Sequence, residues 1–167
     1  MKILIVYDSF FGNTGQIAKV ISKFFGSDDK VELCHVNNVK TEKLKDMNLL
    51  IVGSPTRGFR PTKAISGFLK KIPSKGLEGI PVAAFDTRLD LNLIKSSVFR
   101  FFVNTGGYAA NSIANQLVMK RGKLIVPPEG FLVTGEQGPL TSGEIERAPV
   151  WADRISKSIC INSTLTD

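Results

Sequence analysis

The chain has 167 residues, 43% of them hydrophobic and 22% charged, the composition of a globular protein long enough to bury its own core, and one domain over residues 1–167 is expected. Its 22 basic and 15 acidic residues leave a net charge of +7, but no run of five or more cations occurs, which argues against a nucleic-acid-binding tail. No stretch nears the roughly 20 apolar residues of a membrane span, and only five apolar residues separate Lys2 from Asp8, too few for a signal peptide.

Two cysteines, Cys34 and Cys160, lack CxxC spacing and form neither a disulfide scaffold nor a zinc set, so a cytoplasmic protein with reduced thiols is expected. Along the chain, Ile3–Val6 is a continuous apolar run, as expected of a parallel strand covered on both faces. The loop Asp8-Ser9-Phe10-Phe11-Gly12-Asn13-Thr14 follows, and then Ile17, Ile21, Phe24 and Phe25 form one helical stripe. Val31–Val36 mixes Glu32 and His35 with apolar residues, which suits an edge strand. Leu49–Val52 and Val82–Phe85 are further strands, separated by a helix with Ile65, Phe68, Leu69 and Ile72 on one side. Between Leu91 and Gly122 the pattern predicts two helical pieces broken at Asn104–Gly107.

The run Leu124–Val126 resumes at Phe131–Val133, so Pro127-Pro128-Glu129-Gly130 interrupts a fifth strand. The segment after it, Gly135 to Leu140, is rich in Pro and Gly for no reason visible in the sequence. Ile145, Ala148, Ala152, Ile155 and Ile159 make a last helical stripe. Thr141 and Glu144 suit a capping box ahead of it, and Pro149 suits the first turn of its regular part. Trp151, the only tryptophan, is assigned a packing role there. Strands alternating with helices predict a doubly wound α/β sheet with helices on both faces.

In such sheets ligands sit beyond the carboxyl ends of the strands, at the topological switch point. The first loop offers hydroxyls at Ser9 and Thr14, an amide at Asn13 and a flexible Gly12, at a helix start with unpaired N–H groups and partial positive charge. These make a nest for a phosphate dianion without Lys or Arg. The same residues also read as plain helix capping by Thr14 after a tight turn. Neither GxxxxGK[ST] nor GxGxxG occurs, which argues against a P-loop nucleotide hydrolase and a dinucleotide site.

The stretch Ile5-Val6-Tyr7-Asp8-Ser9-Phe10-Phe11-Gly12-Asn13-Thr14-Gly15-Gln16-Ile17-Ala18-Lys19-Val20-Ile21 resembles the flavodoxin phosphate-loop signature. It matches at the apolar strand end, Tyr7, Ser9, Gly12, Asn13, Thr14, Ala18 and Ile21. The resemblance implies a five-stranded parallel sheet of order 2-1-3-4-5, FMN with its 5′-phosphate in this loop, and a one-electron carrier serving redox partner proteins. It further implies that the loop Gly53 to Thr62 wraps one side of the flavin ring, with Pro55, Thr56, Arg57, Gly58 and Phe59 in contact. Gly58 is the candidate for a peptide flip that presents a carbonyl to N5–H of the half-reduced ring; a turn into a helix capped by Thr62 is the plainer alternative. Asp86, Thr87 and Arg88, closing strand four, would face the pyrimidine edge through the N–H groups of Thr87 and Arg88, or form an ordinary turn.

Two departures from the family pattern stand out. The second loop has Phe59 but no Trp, and the third has no aromatic, while Phe10 and Phe11 either cover the ribityl chain or pack locally. Arg57, Arg60, Lys63 and Arg88 ring a site where flavodoxin carriers tend to be acidic. One well-placed cation stabilises the anionic reduced ring by on the order of 1–3 kcal/mol, which raises the low potential by roughly 40–130 mV. Such a rim also favours acidic docking partners. His35 is the only histidine, so no metal site and no acid–base residue are assigned; the chemistry would belong to the flavin.

The fifth strand has no room for a long insertion, so a short-chain type is expected, and a monomer. Two other functions compete. One is an FMN-dependent NAD(P)H:quinone-type oxidoreductase on the same fold. The other is a flavin-free interaction module, although the receiver-domain version needs an Asp where Gly53 and Ser54 stand.

Overall fold

The computed structural model describes residues 1–26, 29–90 and 107–164. Its elements are β1 (Lys2–Tyr7), α1 (Asn13–Phe25), β2 (Lys30–His35), β3 (Leu49–Pro55), α2 (Lys63–Lys71), β4 (Pro81–Leu89), α3 (Ala109–Met119), β5 (Lys123–Leu124), β6 (Glu129–Val133) and α4 (Glu144–Thr164). Single 3₁₀ turns at Val36–Asn38 and Thr41–Leu44 link β2 to β3. The sheet runs β2-β1-β3-β4-β5, with β6 also on β4, and every pairing between these strands is parallel. β5 pairs with Pro81 and Val82, whereas β6 pairs with Phe85 to Leu89. The two are halves of one strand position, divided at Pro127-Pro128 because proline has no N–H for the ladder. The expected edge strand, interrupted fifth strand and strand order all hold.

Strand side chains alternate between two apolar layers. Leu4, Val6, Leu50, Val52, Val82 and Ala84 face α2 and α3, meeting Ile65, Leu69, Ile113 and Leu117. Ile3, Ile5, Leu49, Ile51, Ala83 and Phe85 face α1 and α4, meeting Ile17, Ile21, Ala148, Trp151 and Ala152. Trp151 packs edge-on against Phe85 and Phe131 at centroid distances of 5.9 and 6.2 Å, as its packing role predicts. Each fully buried Leu or Ile contributes about 1.5–3 kcal/mol. That rigid double layer holds the carboxyl ends of β1, β3, β4 and β6 side by side.

Four local expectations are corrected. Phe24 is exposed, because it lies on the flank of the α1 stripe, and Phe25 takes the inward place. The Thr141–Glu144 capping box does not form: the Thr141 hydroxyl oxygen has no hydrogen-bond partner, and the Glu144 carboxylate pairs with Arg147 at 2.6 Å instead. Pro149 lies inside α4, beyond its first turn, where it removes one helical donor. Helix α1 begins at Asn13, so Asn13 and Thr14 belong to its first turn, and the residue flanking it is Gly12, with φ 89°. Of the two helical pieces predicted between Leu91 and Gly122, the second is α3 and the first falls outside the described residues. Among the described residues no helix is long and apolar enough to cross a membrane.

Candidate functional site

A cleft opens where the loops after β1, β3, β4 and β6 meet. The first loop contributes Ser9, Phe10, Phe11, Asn13 and Thr14, the second Pro55, Thr56, Arg57 and Gly58, and the third Thr87 and Arg88. Gly12, Phe59 and Asp86 do not line it. Leu89, Val133, Gly135 and Glu136 do, and the sequence reading had not singled them out.

The first loop leaves its donors open. The Ser9 N–H donates to the Asp8 carboxylate at 2.8 Å, the Gly15 N–H to the Ser9 hydroxyl oxygen at 3.2 Å, and the Gln16 N–H to the Gly12 carbonyl at 2.9 Å. Between them, the N–H groups of Phe10, Phe11, Gly12, Asn13 and Thr14 make no hydrogen bond among the described residues. Five consecutive neutral donors thus converge at the positive end of a 13-residue helix. The left-handed Gly12 supplies the backbone reversal that makes such a run concave. Asn13 and Thr14 are buried, and buried N–H groups are nearly always paired, so their open N–H groups on the cleft wall fit a phosphate group and not a capped turn. Thr14 is not a cap: its hydroxyl lies 2.8 Å from that of Thr87, buried, tying the first loop to the third.

The other two loops are bound into the fold. Asp86 is completely buried and accepts from the Thr56 hydroxyl at 2.9 Å, the Ala110 N–H at 2.8 Å and Arg88 Nε at 2.6 Å. The Thr56 hydroxyl oxygen in turn accepts from the Ala109 N–H at 3.0 Å. Helix α3 has no side-chain cap from its own Tyr108, so the ends of β3 and β4 cap it together. Arg88 lies with its guanidinium 3.6 Å from the Tyr108 ring centroid and against Gly130, where a Cβ would stand 2.3 Å from it. Burial pushes the Asp86 carboxyl above the ordinary carboxylate range, while the Arg88 charge and three hydrogen bonds oppose it.

The rim charges therefore differ from expectation. Arg88 is a half-buried partner of Asp86 and not a lone cation, because β4 carries both side chains to one side, two residues apart. Arg57 pairs with Glu136 at 3.0 Å and covers the exposed rings of Phe10 and Phe11. Tyr108, the residue before α3, places its ring against the Arg88 guanidinium and does not line the cleft. Arg57 and Arg60 exchange N–H···O bonds of 2.9 and 3.1 Å across a two-residue turn in which Gly58 and Phe59 have φ 53° and 65°. This is the type I′ hairpin geometry, which glycine accepts readily and a bulky residue rarely. The turn carries Phe59 out of the cleft and into a groove between α2 and α3. The Gly58 carbonyl accepts no hydrogen bond among the described residues.

The Pro- and Gly-rich segment also finds its reason here. Asn13 Nδ2 donates to the Gln137 carbonyl at 3.0 Å. Gly138, with φ 97°, lies so close that a Cβ would stand 2.4 Å from that amide nitrogen. Asn13 thus anchors the last loop against the first. The signal was available: a Gly-Pro step at the same end of the sheet as the other three loops.

A doubly wound sheet with an open N–H nest after its first strand defines a class of phosphate-binding α/β proteins. Within it, a family model described as a flavodoxin domain matches residues 4–117, and the chain belongs to that family. A curated relative, a flavodoxin of Picosynechococcus sp., is 42% identical over 55 residues, which cover 33% of this chain and 32% of that protein. The match thus spans about a third of that relative's length. Among solved structures, an archaeal flavodoxin superposes with TM-score 0.74 at 22% identity, covering 95% of this chain and 99% of that one. Oxidised flavodoxin 1 of Bacillus cereus gives TM-score 0.72 at 17% identity, covering 94% and 98%. Rubredoxin oxygen:oxidoreductase of Desulfovibrio gigas gives 0.73 at 20% identity, covering 99% of this chain but 37% of that one. At these identities the structures establish the fold.

Proposed function

We propose that this chain is an FMN-binding electron carrier. The observation that carries the proposal is the run of five unpaired N–H groups from Phe10 to Thr14, and family membership supports it. In this reading those donors and the Ser9 hydroxyl hold the 5′-phosphate. A dianion there is stabilised by the helix end with no cation, so the phosphate is gripped without adding positive charge near the ring. Backbone groups of Thr56, Arg57, Gly58, Thr87 and Arg88 flank the ring, and Phe10 and Phe11 shield its approach from water. Gly58 keeps its carbonyl free in a turn that tolerates either peptide orientation. Asp86 positions Thr56 and the start of α3 and lies under the site without lining it. FMN, when bound, supplies one-electron chemistry, and no side chain moves a proton for it. The electrons pass to redox partner proteins. The setting in this reading is reducing and cytoplasmic, which the free, buried thiol of Cys34 supports, and the chain acts as a monomer.

The test compares FMN with riboflavin, which lacks the phosphate. Titrated into flavin-free protein and followed by flavin fluorescence, FMN binds at one per chain and riboflavin at least about 100-fold more weakly, the equivalent of two charge-assisted hydrogen bonds. Equal affinities would remove the phosphate nest from the proposal.

A further inference from the structure

From Met47 to Leu77 the chain has no acidic residue but six basic ones: Arg57, Arg60, Lys63, Lys70, Lys71 and Lys75. The segment from Met47 to Leu77 therefore holds six of the seven net charges, and the rest of the chain is nearly balanced. Of these cations, Arg57 alone has an ion-pair partner among the described residues. Arg57, Arg60, Lys63 and Lys70 border the groove between α2 and α3, whose floor includes Gly67, Ser112 and Gln116. A Cβ on Gly67 would meet nothing within 4 Å, so the groove is open at its middle. It continues from the cofactor cleft, with which it shares Phe10, Arg57 and Gly58. The carboxylate bordering it, Asp8, is buried and pairs with His35 at 3.2 Å.

We propose that this groove docks an acidic segment of a partner protein. The proposal rests on the electron-carrier reading for what docking achieves, delivery of an acceptor to the cleft, but not for the binding itself. Two observations favour a chain over a small anion. Lys63 and Lys70 stand about 10 Å apart along α2, a line of charge and not a convergent cluster. The first turn of α2 also offers a shorter run of open donors than α1, because the Thr62 N–H donates to the Ser54 hydroxyl and the Ile65 and Ser66 N–H groups to the Thr62 hydroxyl and carbonyl oxygens. An extended or helical segment with carboxylates every turn matches that line; a phosphate group does not.

The test uses the FMN-loaded protein and a fluorescein-labelled twelve-residue oligoglutamate peptide, read by anisotropy at low ionic strength, with amide NMR shifts to locate it. Binding should weaken steadily with added salt and shift the amides of Gly67, Ser112 and Gln116. Lys63→Glu with Lys70→Glu should weaken it at least about tenfold, and Lys63→Gln with Lys70→Gln less. Lys19→Glu with Lys23→Glu, an equal charge change on α1, should leave it within about twofold. Equal losses from both Glu pairs would reduce the effect to net charge and overturn the proposal. So would the absence of binding, shifts confined to other elements, or competition by inorganic pyrophosphate at equal concentration. Tighter binding of phosphatidylserine vesicles or of single-stranded DNA through the same lysines would assign the groove to a membrane or a nucleic acid instead. Peptide binding is read without electron transfer, so its failure leaves FMN binding untouched, and lost FMN binding leaves the peptide measurement interpretable.

Discussion

The loop after β1 and the end of β4 lie side by side, yet they treat their polar groups in opposite ways. From Phe10 to Thr14 the N–H groups have no acceptor among the described residues, and all of these residues but Gly12 line the cleft. Around Asp86, the carboxylate, the Thr56 hydroxyl and the first N–H groups of α3 all bond one another. The first region is prepared for a ligand, and the second holds the frame that places it. A donor left unpaired in the folded protein is a binding site in waiting, whereas a donor already paired can only position its neighbours.

The contrast can be broken most severely at Asp86. Asp86→Ala leaves the half-buried Arg88 without its partner and the Ala110 N–H unsatisfied, and should cost about 3–5 kcal/mol of stability in urea unfolding. Replacing both residues, as Asp86→Leu with Arg88→Met, should cost less than the single change; a larger loss from the pair would show that the ion pair is not what matters. Next, the first loop should respond to ligand where the second does not. FMN at 100 times its dissociation constant should add about 2.7 kcal/mol to the wild type and to Arg88→Met alike. Were the gain lost in Arg88→Met, the division of labour between the two regions would be wrong.

A smaller effect sharpens the electrostatics. Burial raises the Asp86 pKa above its ordinary value. In the window from that ordinary value up to the raised one, the folded chain keeps a proton that the unfolded chain has released. Stability therefore falls as pH rises through this window. Wild-type stability measured relative to Asp86→Asn should show that decline; a flat difference would mean that Arg88 and the hydrogen bonds cancel the burial. The smallest effect belongs to the rim. Glu136→Gln leaves Arg57 without its exposed partner, a change worth about 0.5–1 kcal/mol. In a redox titration it should raise the low potential by about 20–40 mV, and a fall would place Arg57 away from the ring.

Much of this was legible in the sequence, for a local reason. The loop from Asp8 to Thr14 is contiguous, so its neutral donors and its position before a helix are visible before any packing is known. The strands and their order follow from short apolar runs, and the mixed run at Glu32 and His35 marks an edge. Phe24 misled because a helical stripe has width, and only the neighbouring elements decide which flank is covered. The rim cations misled for a different reason. Arg57 meets Glu136 across 79 positions, and Asn13 meets Gln137 across 124. The charge segment from Met47 to Leu77 was legible but looked scattered, because its cations gather only when α2 turns three lysines outward beside the β3 loop.

Taken alone, the amino-acid order determined the layered α/β architecture and the neutral composition of the first loop, since both depend on residues adjacent along the chain. Tertiary structure alone decided that Arg88 is the partner of the buried Asp86 and not a free cation. It also turned Phe59 away from the cleft and made a Gly-rich loop into the clamp on Asn13. Those outcomes are set by contacts between distant positions, whose energies exist only once the sheet has brought the strand ends together.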